Sequence, residues 1–174
     1  MKKHFVWIFS LIFCAAFCSA EAVETVLDDD FSTNAASEGV PAGWTLYRQG
    51  PVLGKIMIRE NGSARELYMK DVCDKSEIGI TRVISAVPGK YYRLTAEARA
   101  VGGKFGRSAP SLLLRFLSRP KPQVNNLWMV SGKPTVVTGQ ANADKLQIYL
   151  FTMKSGQPEL TVGRIKLEVS DTPF

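Results

Sequence analysis

The sequence predicts an all-β domain made of antiparallel sheets. Helical signals are nearly absent, because no long stretch sets apolar residues at three-and-four spacing. About nine or ten short strand-like runs are instead separated by Gly, Pro, Asn and Asp, the pattern of strands joined by turns. One segment alternates cleanly. Tyr92, Leu94, Ala96 and Ala98 fall on one face, and Tyr91, Arg93, Thr95, Glu97 and Arg99 on the other. A period of two means one buried and one wet face, as in an antiparallel sheet. Many such strands in one compact domain make a sandwich or barrel.

The elements follow in order. Residues 25–27 are the first run, and a polar loop over 28–43 includes Asp28, Asp29 and Asp30. Residues 44–48 are the next run. Runs over 55–60 and 65–72 flank Asn61-Gly62, a strong hairpin signal. Residues 77–87 lead to Pro88-Gly89, a turn that launches the alternating strand. Gly102-Gly103 and Gly106 mark a flexible connection. Residues 111–118 are apolar on both faces apart from Arg115, and Pro120 and Pro122 then interrupt. Runs over 127–137, 146–153 and 160–169 complete the domain. The expected core is Leu67, Met69, Ile78, Ile80, Ile84, Tyr92, Leu94, Ala96, Leu112, Leu114, Phe116, Leu146, Ile148, Leu150, Ile165 and Leu167. No period of 20–50 residues repeats, which argues against a propeller or solenoid.

The first residues read as an export signal. Lys2 and Lys3 give a positive start, residues 5–17 form an apolar run, and Ser19-Ala20 places small residues before Glu21. The run is shorter than the about 20 apolar residues of a membrane span. Cys14 and Cys18 each follow a phenylalanine, where lipoprotein processing wants a small residue. The expected organisation is a signal peptide over 1–20, cleaved near Ala20, and a single domain over 21–174. The mature chain is expected to be secreted, periplasmic or at the cell surface.

Cleavage changes the chemistry available. The formal charge falls from +6 to +4 with the loss of Lys2 and Lys3. No cluster of Lys and Arg stands out in the sequence, so no nucleic-acid partner is expected. Cys73 is the one cysteine left, so no intramolecular disulfide forms, and it reads as a small buried hydrophobe. His4 is the sole histidine and leaves with the signal. Histidine-dependent nucleophilic catalysis and nearly every zinc arrangement go with it.

Four segments, taken in order, resemble carbohydrate-binding modules of the xylanase- and endoglucanase-associated type, with a galactose-binding-like jelly roll. They are Pro41-Ala42-Gly43-Trp44, Val87-Pro88-Gly89-Lys90-Tyr91-Tyr92-Arg93-Leu94, Leu127-Trp128-Met129-Val130-Ser131-Gly132 and Leu146-Gln147-Ile148-Tyr149-Leu150. The resemblance spans residues 27–169. It implies a two-sheet antiparallel jelly-roll β-sandwich that binds sugars in a concave groove or at the loop rim. It also implies a structural calcium beside paired aspartates in the last strand. Gly163 and Arg164 stand at those acidic positions. Calcium takes about six to eight oxygen ligands, so its site is weakened; no cofactor is expected, and the alternative is a structural calcium to which Asp28, Asp29 and Asp30 contribute. Arg164 offers its own charge in the cation's place. At Glu97 the resemblance implies an aromatic residue.

Sugar recognition needs aromatic faces beside planar polar groups. Arg93, Glu97, Arg115, Gln147 and Tyr149 combine these on wet strand faces, and they form one groove if their strands share a sheet. The plain alternative is a solvated face with cross-strand ion pairs such as Glu97 with Arg115, each contributing about 0–1 kcal/mol. Trp44 and Trp128 match positions that the resemblance implies are structural, so both are expected in the core. Tyr47, Tyr68 and Tyr91 are further wet-face candidates, and Asn125-Asn126 a rim loop. A carboxylate-dependent enzyme would need Glu66 or Glu97 in a deep pocket with a second carboxylate nearby. The expected function is a secreted, non-catalytic, carbohydrate-binding domain whose partner is a polysaccharide or other glycan. The alternative is a structural or protein-interaction subunit with an envelope protein partner and no sugar affinity.

Overall fold

The computed structural model describes residues 22–33, 39–51, 54–101, 105, 109–154 and 156–174. The expected signal peptide and the glycines at 102, 103 and 106 lie outside the described residues. Eleven strands appear in the order β1 (Glu24–Asp29), β2 (Thr45–Gln49), β3 (Lys55–Asn61), β4 (Ala64–Lys70), β5 (Glu77–Ser85), β6 (Tyr91–Ala100), β7 (Ser111–Phe116), β8 (Gln123–Trp128), β9 (Lys133–Gln140), β10 (Lys145–Phe151) and β11 (Glu159–Ser170). They form a six-stranded sheet ordered β3-β4-β11-β6-β9, with β1 also on β11, and a five-stranded sheet ordered β2-β5-β10-β7-β8. Every pairing is antiparallel. The sandwich expectation holds.

Local chemistry sets the turns. Gly62 supplies the positive φ of 62° that closes the β3–β4 hairpin. Gly89 has φ 88° in the turn before β6, where Lys90 N–H donates to the Val87 carbonyl at 3.2 Å. Two expectations need correction. The run over 127–137 is two strands, because Ser131-Gly132 turns the chain between β8 and β9. Asn125 and Asn126 lie inside edge strand β8 and not in a rim loop.

The core lies between the two sheets. Leu67, Leu94, Leu114, Leu146, Leu150 and Leu167 are all fully buried. Full burial of one such side chain contributes about 1.5–3 kcal/mol. Of the expected core residues, Ile84 alone is half-buried at its margin. Cys73 is a free thiol of intermediate exposure, not a buried one.

The stretch predicted as polar loop contributes to the core. β1 runs on to Asp29, and Phe31 is fully buried with φ 60°. A positive φ is unfavourable for a bulky residue. Asp29 offsets that cost by accepting the Phe31 amide at 2.9 Å and the Trp44 indole N–H at 2.7 Å. Trp44 is buried, as expected. A second polar anchor was not legible in the sequence. Buried Asp71 accepts the Thr152 hydroxyl at 2.7 Å and the Cys73 amide at 3.0 Å, while Thr152 Oγ1 accepts the Ile78 amide. This network ties the ends of β4, β5 and β10 together.

Candidate functional site

The structure separates the five predicted residues. Arg93 and Glu97 lie on β6, in the six-stranded sheet, whereas Arg115 on β7 and Gln147 and Tyr149 on β10 share the five-stranded sheet. Their inward neighbours Leu94, Ala96, Leu114, Ile148 and Leu150 are buried between the sheets. The two groups therefore face away from each other, on opposite sides of the sandwich. The single groove joining all five is corrected to two faces. The Glu97–Arg115 pair does not form; Glu97 accepts from Arg99 at 2.9 and 3.0 Å.

On the five-stranded face, strand register builds one ordered strip. Its first row reads Tyr47, Gly79, Phe151, Ser111, Trp128. The next reads Thr45, Thr81, Tyr149, Leu113, Asn126, and beside it lies a row of Val83, Gln147, Arg115 and Val124. Five strands span roughly 20 Å, since neighbours are about 4.8 Å apart. That length suits an oligosaccharide better than one sugar ring. Central residues on the strip are recessed: Thr81, Phe151 and Ser111 are 8 %, 8 % and 1 % exposed.

The aromatic end depends on a missing side chain. Tyr47 and Phe151 belong to strands separated by β5, yet their ring centroids are 5.1 Å apart. Gly79 sits between them, and its lack of a side chain lets β10 approach so closely that a Cβ there would lie 2.6 Å from Phe151 Cβ. Tyr47 also meets Tyr149 edge-on at 5.4 Å. The Tyr47 hydroxyl donates to Glu77 at 2.8 Å. Burial, and then that carboxylate, push its pKa far above the ordinary tyrosine value. Tyr47 thus stays a neutral donor.

The polar end is less satisfied. Gln147 donates to Thr81 Oγ1 at 3.1 Å, and Thr81 in turn donates to the Ile148 carbonyl at 2.8 Å. This fixes the Gln147 amide. Arg115 Nε is buried and has no hydrogen-bond partner among the described residues. A buried donor left unpaired costs roughly 1–3 kcal/mol. Trp128 was expected in the core and is instead 55 % exposed. It lies on edge strand β8 at the end of the first row, on the same face as Tyr149.

The six-stranded face is closed by its own charges. Glu168 accepts Arg93 at 2.9 Å and Lys166 at 2.6 Å. The Arg93 hydrogen bond, followed by that of Lys166, holds its carboxyl below the ordinary range. Tyr68, another wet-face candidate, is buried beneath the Arg59 guanidinium at 3.2 Å, and its hydroxyl donates to Glu159 at 2.7 Å. Tyr91 is half-buried at the start of β6.

At the centre of this face, β11 bulges between Val162 and Ile165. A Cβ at Gly163 would meet nothing within 4 Å. The gap is a depression of about 200 Å³ lined by Glu66, Glu97, Arg99, Thr161, Gly163 and Arg164. Nothing local in the sequence places Glu66 beside Glu97, yet both line this one hollow. The Glu97 carboxylate is already held by Arg99.

The aspartate triplet is likewise occupied. Arg164 grips Asp28 through Nε at 2.6 Å and through Nη2. The Arg164 hydrogen bond draws the Asp28 pKa below its ordinary value. Asp29 holds Phe31 and Trp44, and Asp30 accepts the Ser32 amide at 2.9 Å. Arg164 thus places a cation against the aspartates, as its charge suggested. Among the described residues, no three His, Cys, Asp or Glu side chains gather where they could hold a metal ion.

The residues missed by sequence reasoning are Trp128, expected in the core, and Gly79. Alternation along β10 does put Phe151 on the same side as Tyr149 and Gln147. Nothing local shows that Gly79 lies between Tyr47 and Phe151, because that needs the order of the strands.

No family model matches the chain. No curated protein matches it. Solved structures do. The xylan-binding CBM22-1 domain of Paenibacillus barcinonensis Xyn10C is 14 % identical, with 89 % of this chain and 100 % of that one covered, at TM-score 0.55. The family 11 carbohydrate-binding module of Clostridium thermocellum, in complex with a β-1,3-1,4-mixed-linked tetrasaccharide, is 16 % identical, with 86 % and 96 % covered, at TM-score 0.53. The CBM22-1–GH10 modules of Clostridium thermocellum xylanase 10B, complexed with xylohexaose, are 13 % identical at TM-score 0.57. The match covers 86 % of this chain but 29 % of those modules. A separate match, to the enzymatically active domain of bacteriophage CBA120 tailspike protein 4, covers 72 % of this chain and 19 % of that one. At these identities the likeness is one of fold. The chain has the two-sheet antiparallel jelly-roll sandwich of these carbohydrate-binding modules.

Proposed function

We propose that this protein is an exported, non-catalytic domain that binds a glycan on the outer face of its five-stranded sheet. The observation that carries the reading is the strip itself: Tyr149 and Trp128 beside Gln147 and a guanidinium whose Nε–H lacks an acceptor. Aromatic rings pack on the apolar face of a sugar, and planar polar groups bond its hydroxyls. Xylan- and glucan-binding modules of the same fold support the ligand class. Binding is adhesion without covalent chemistry. The arginine-held Glu97 fits that view of the opposite face. The charged start and apolar run of residues 1–20 support export.

Affinity electrophoresis on xylan and mixed-linkage glucan tests the reading. Tyr149→Ala and Trp128→Ala are expected to weaken retention about tenfold or more while keeping the unfolding midpoint. Arg99→Gln, on the opposite face, should bind normally. Retention that survives both aromatic changes but fails with Glu66 or Glu97 variants would move the site to the six-stranded face.

One observation favours a protein-interaction role instead. Leu127, Val130 and Val136 are 49 %, 55 % and 41 % exposed along the β8–β9 flank. Val124, Leu127 and Val136 help line a cleft of about 380 Å³ between those edge strands. An envelope protein that co-purifies with the wild type and is lost on Leu127→Ser would support that role.

A further inference from the structure

We propose that the glycan bound by the five-stranded face is acidic, carrying ring carboxylates of the uronic acid type. This rests on the preceding assignment of the face to glycan binding. Ion pairs on Lys70, Lys90, Arg93, Arg99, Arg164 and Lys166 all lie on the six-stranded sheet or its flanking turns. Arg115 stands on the other sheet and forms no ion pair among the described residues. Its Nε is buried and unpartnered, between Gln147 on β10 and Val124 on β8. Lys145 is the diagonal neighbour on β10, exposed and likewise outside the described ion pairs. The connection leaving β7 at this end adds exposed Arg119 and Lys121. Asp144, beside Lys145, is the one acid in the segments named here.

Four cations against one carboxylate leave a net positive corner at the polar end of an aromatic strip. A neutral sugar hydroxyl would accept a hydrogen bond from the half-buried Arg115 guanidinium but not answer the charge. A carboxylate does both, because the guanidinium fork matches it with two parallel hydrogen bonds. The geometry suits a carboxylated ring. Tyr149 is diagonal to Arg115 across the β7–β10 pair, a Cα separation of about 7–8 Å. A sugar stacked on Tyr149 therefore directs an exocyclic substituent toward Arg115. The step is binding alone, with no bond made or broken.

The test uses polygalacturonate, alginate and glucuronoxylan, each beside its carboxyl-reduced form, with xylan, mixed-linkage glucan and a sulfated galactan as further arms. Titration calorimetry of the wild type is expected to show at least one of the three acidic polymers bound about tenfold or more tighter than its reduced form. Arg115→Gln should erase that difference, Lys145→Gln should reduce it severalfold, and Arg99→Gln should leave it intact. Equal binding of charged and reduced forms, or binding confined to neutral glycans, overturns the acidic assignment and leaves the glycan reading standing. A sulfated galactan bound as tightly, with the same dependence on Arg115, also overturns the carboxylate. Silence on every polymer overturns both.

Discussion

The six-stranded sheet shows solvent a set of charges that answer one another, with Glu168 between Arg93 and Lys166 and Glu97 against Arg99. The five-stranded sheet shows Tyr149, Trp128, Gln147 and Arg115, with the arginine Nε unanswered. Both faces are built by alternating strands, and both carry guanidiniums and carboxylates in the sequence. The difference is completion. A closed face stabilises the domain and has little left to offer a ligand. An open face keeps its charge and ring surface available to a ligand.

The largest effect is expected where the open face is most tightly built. A Cβ at Gly79 would collide with the Leu150 carbonyl, which cannot swing aside as a side chain would. Gly79→Ala should therefore destabilise by about 1–3 kcal/mol or more in denaturant unfolding, and should part the Tyr47 and Phe151 rings. A fully stable Gly79→Ala protein would show that the aromatic end is not fixed by this close approach.

On the closed face, Glu168→Ala strands two cations at a side chain only 7 % exposed. A loss of about 2–3 kcal/mol is expected, with glycan affinity unchanged. Acid reproduces a milder form of this. Arg93 and Lys166 hold the Glu168 carboxyl below its ordinary 4.5. The unfolded chain therefore binds the proton first, and stability rises with pH through that window. The contribution is complete above about pH 4.5 and is lost as pH falls through the lower folded value. Glu168→Gln should flatten this part of an unfolding-midpoint profile. An unchanged slope would assign the acid sensitivity to other carboxylates, such as Glu159, whose pKa is also lowered, first by the Tyr68 hydroxyl.

The smallest effect separates the faces most sharply. Arg115→Met removes an unpartnered buried donor, so stability should stay level or rise by up to about 1 kcal/mol, while Arg93→Met should lose about 1–2 kcal/mol. Equal losses at both positions would mean that Arg115 is satisfied in solution and that the two faces do not differ in this respect.

The strands and the core were legible because period two is a local signal. Leu94 and Ala96 on β6, and Ile148 and Leu150 on β10, declare their buried side without reference to any other segment. The site was only half legible for the same reason. Alternation says that Arg93 and Tyr149 both turn away from the core, but a sandwich has two outer sides, and strand order alone decides between them. Trp128 escaped because Leu127-Trp128-Met129-Val130 is uniformly apolar, so no alternation marks a wet side there. It ends on an edge strand, where one flank has no neighbour to cover it. Phe31 escaped because its burial depends on Asp29 holding a backbone conformation that phenylalanine rarely adopts on its own.

The pairing of β1 with β11 makes Glu24 and Val169 register partners. Both ends of the described chain thus emerge side by side from the six-stranded sheet. A carrier domain or an anchoring surface joined at either end would be tethered at that one end of the six-stranded sheet, and the proposed glycan face, on the other sheet, would not bear the tether.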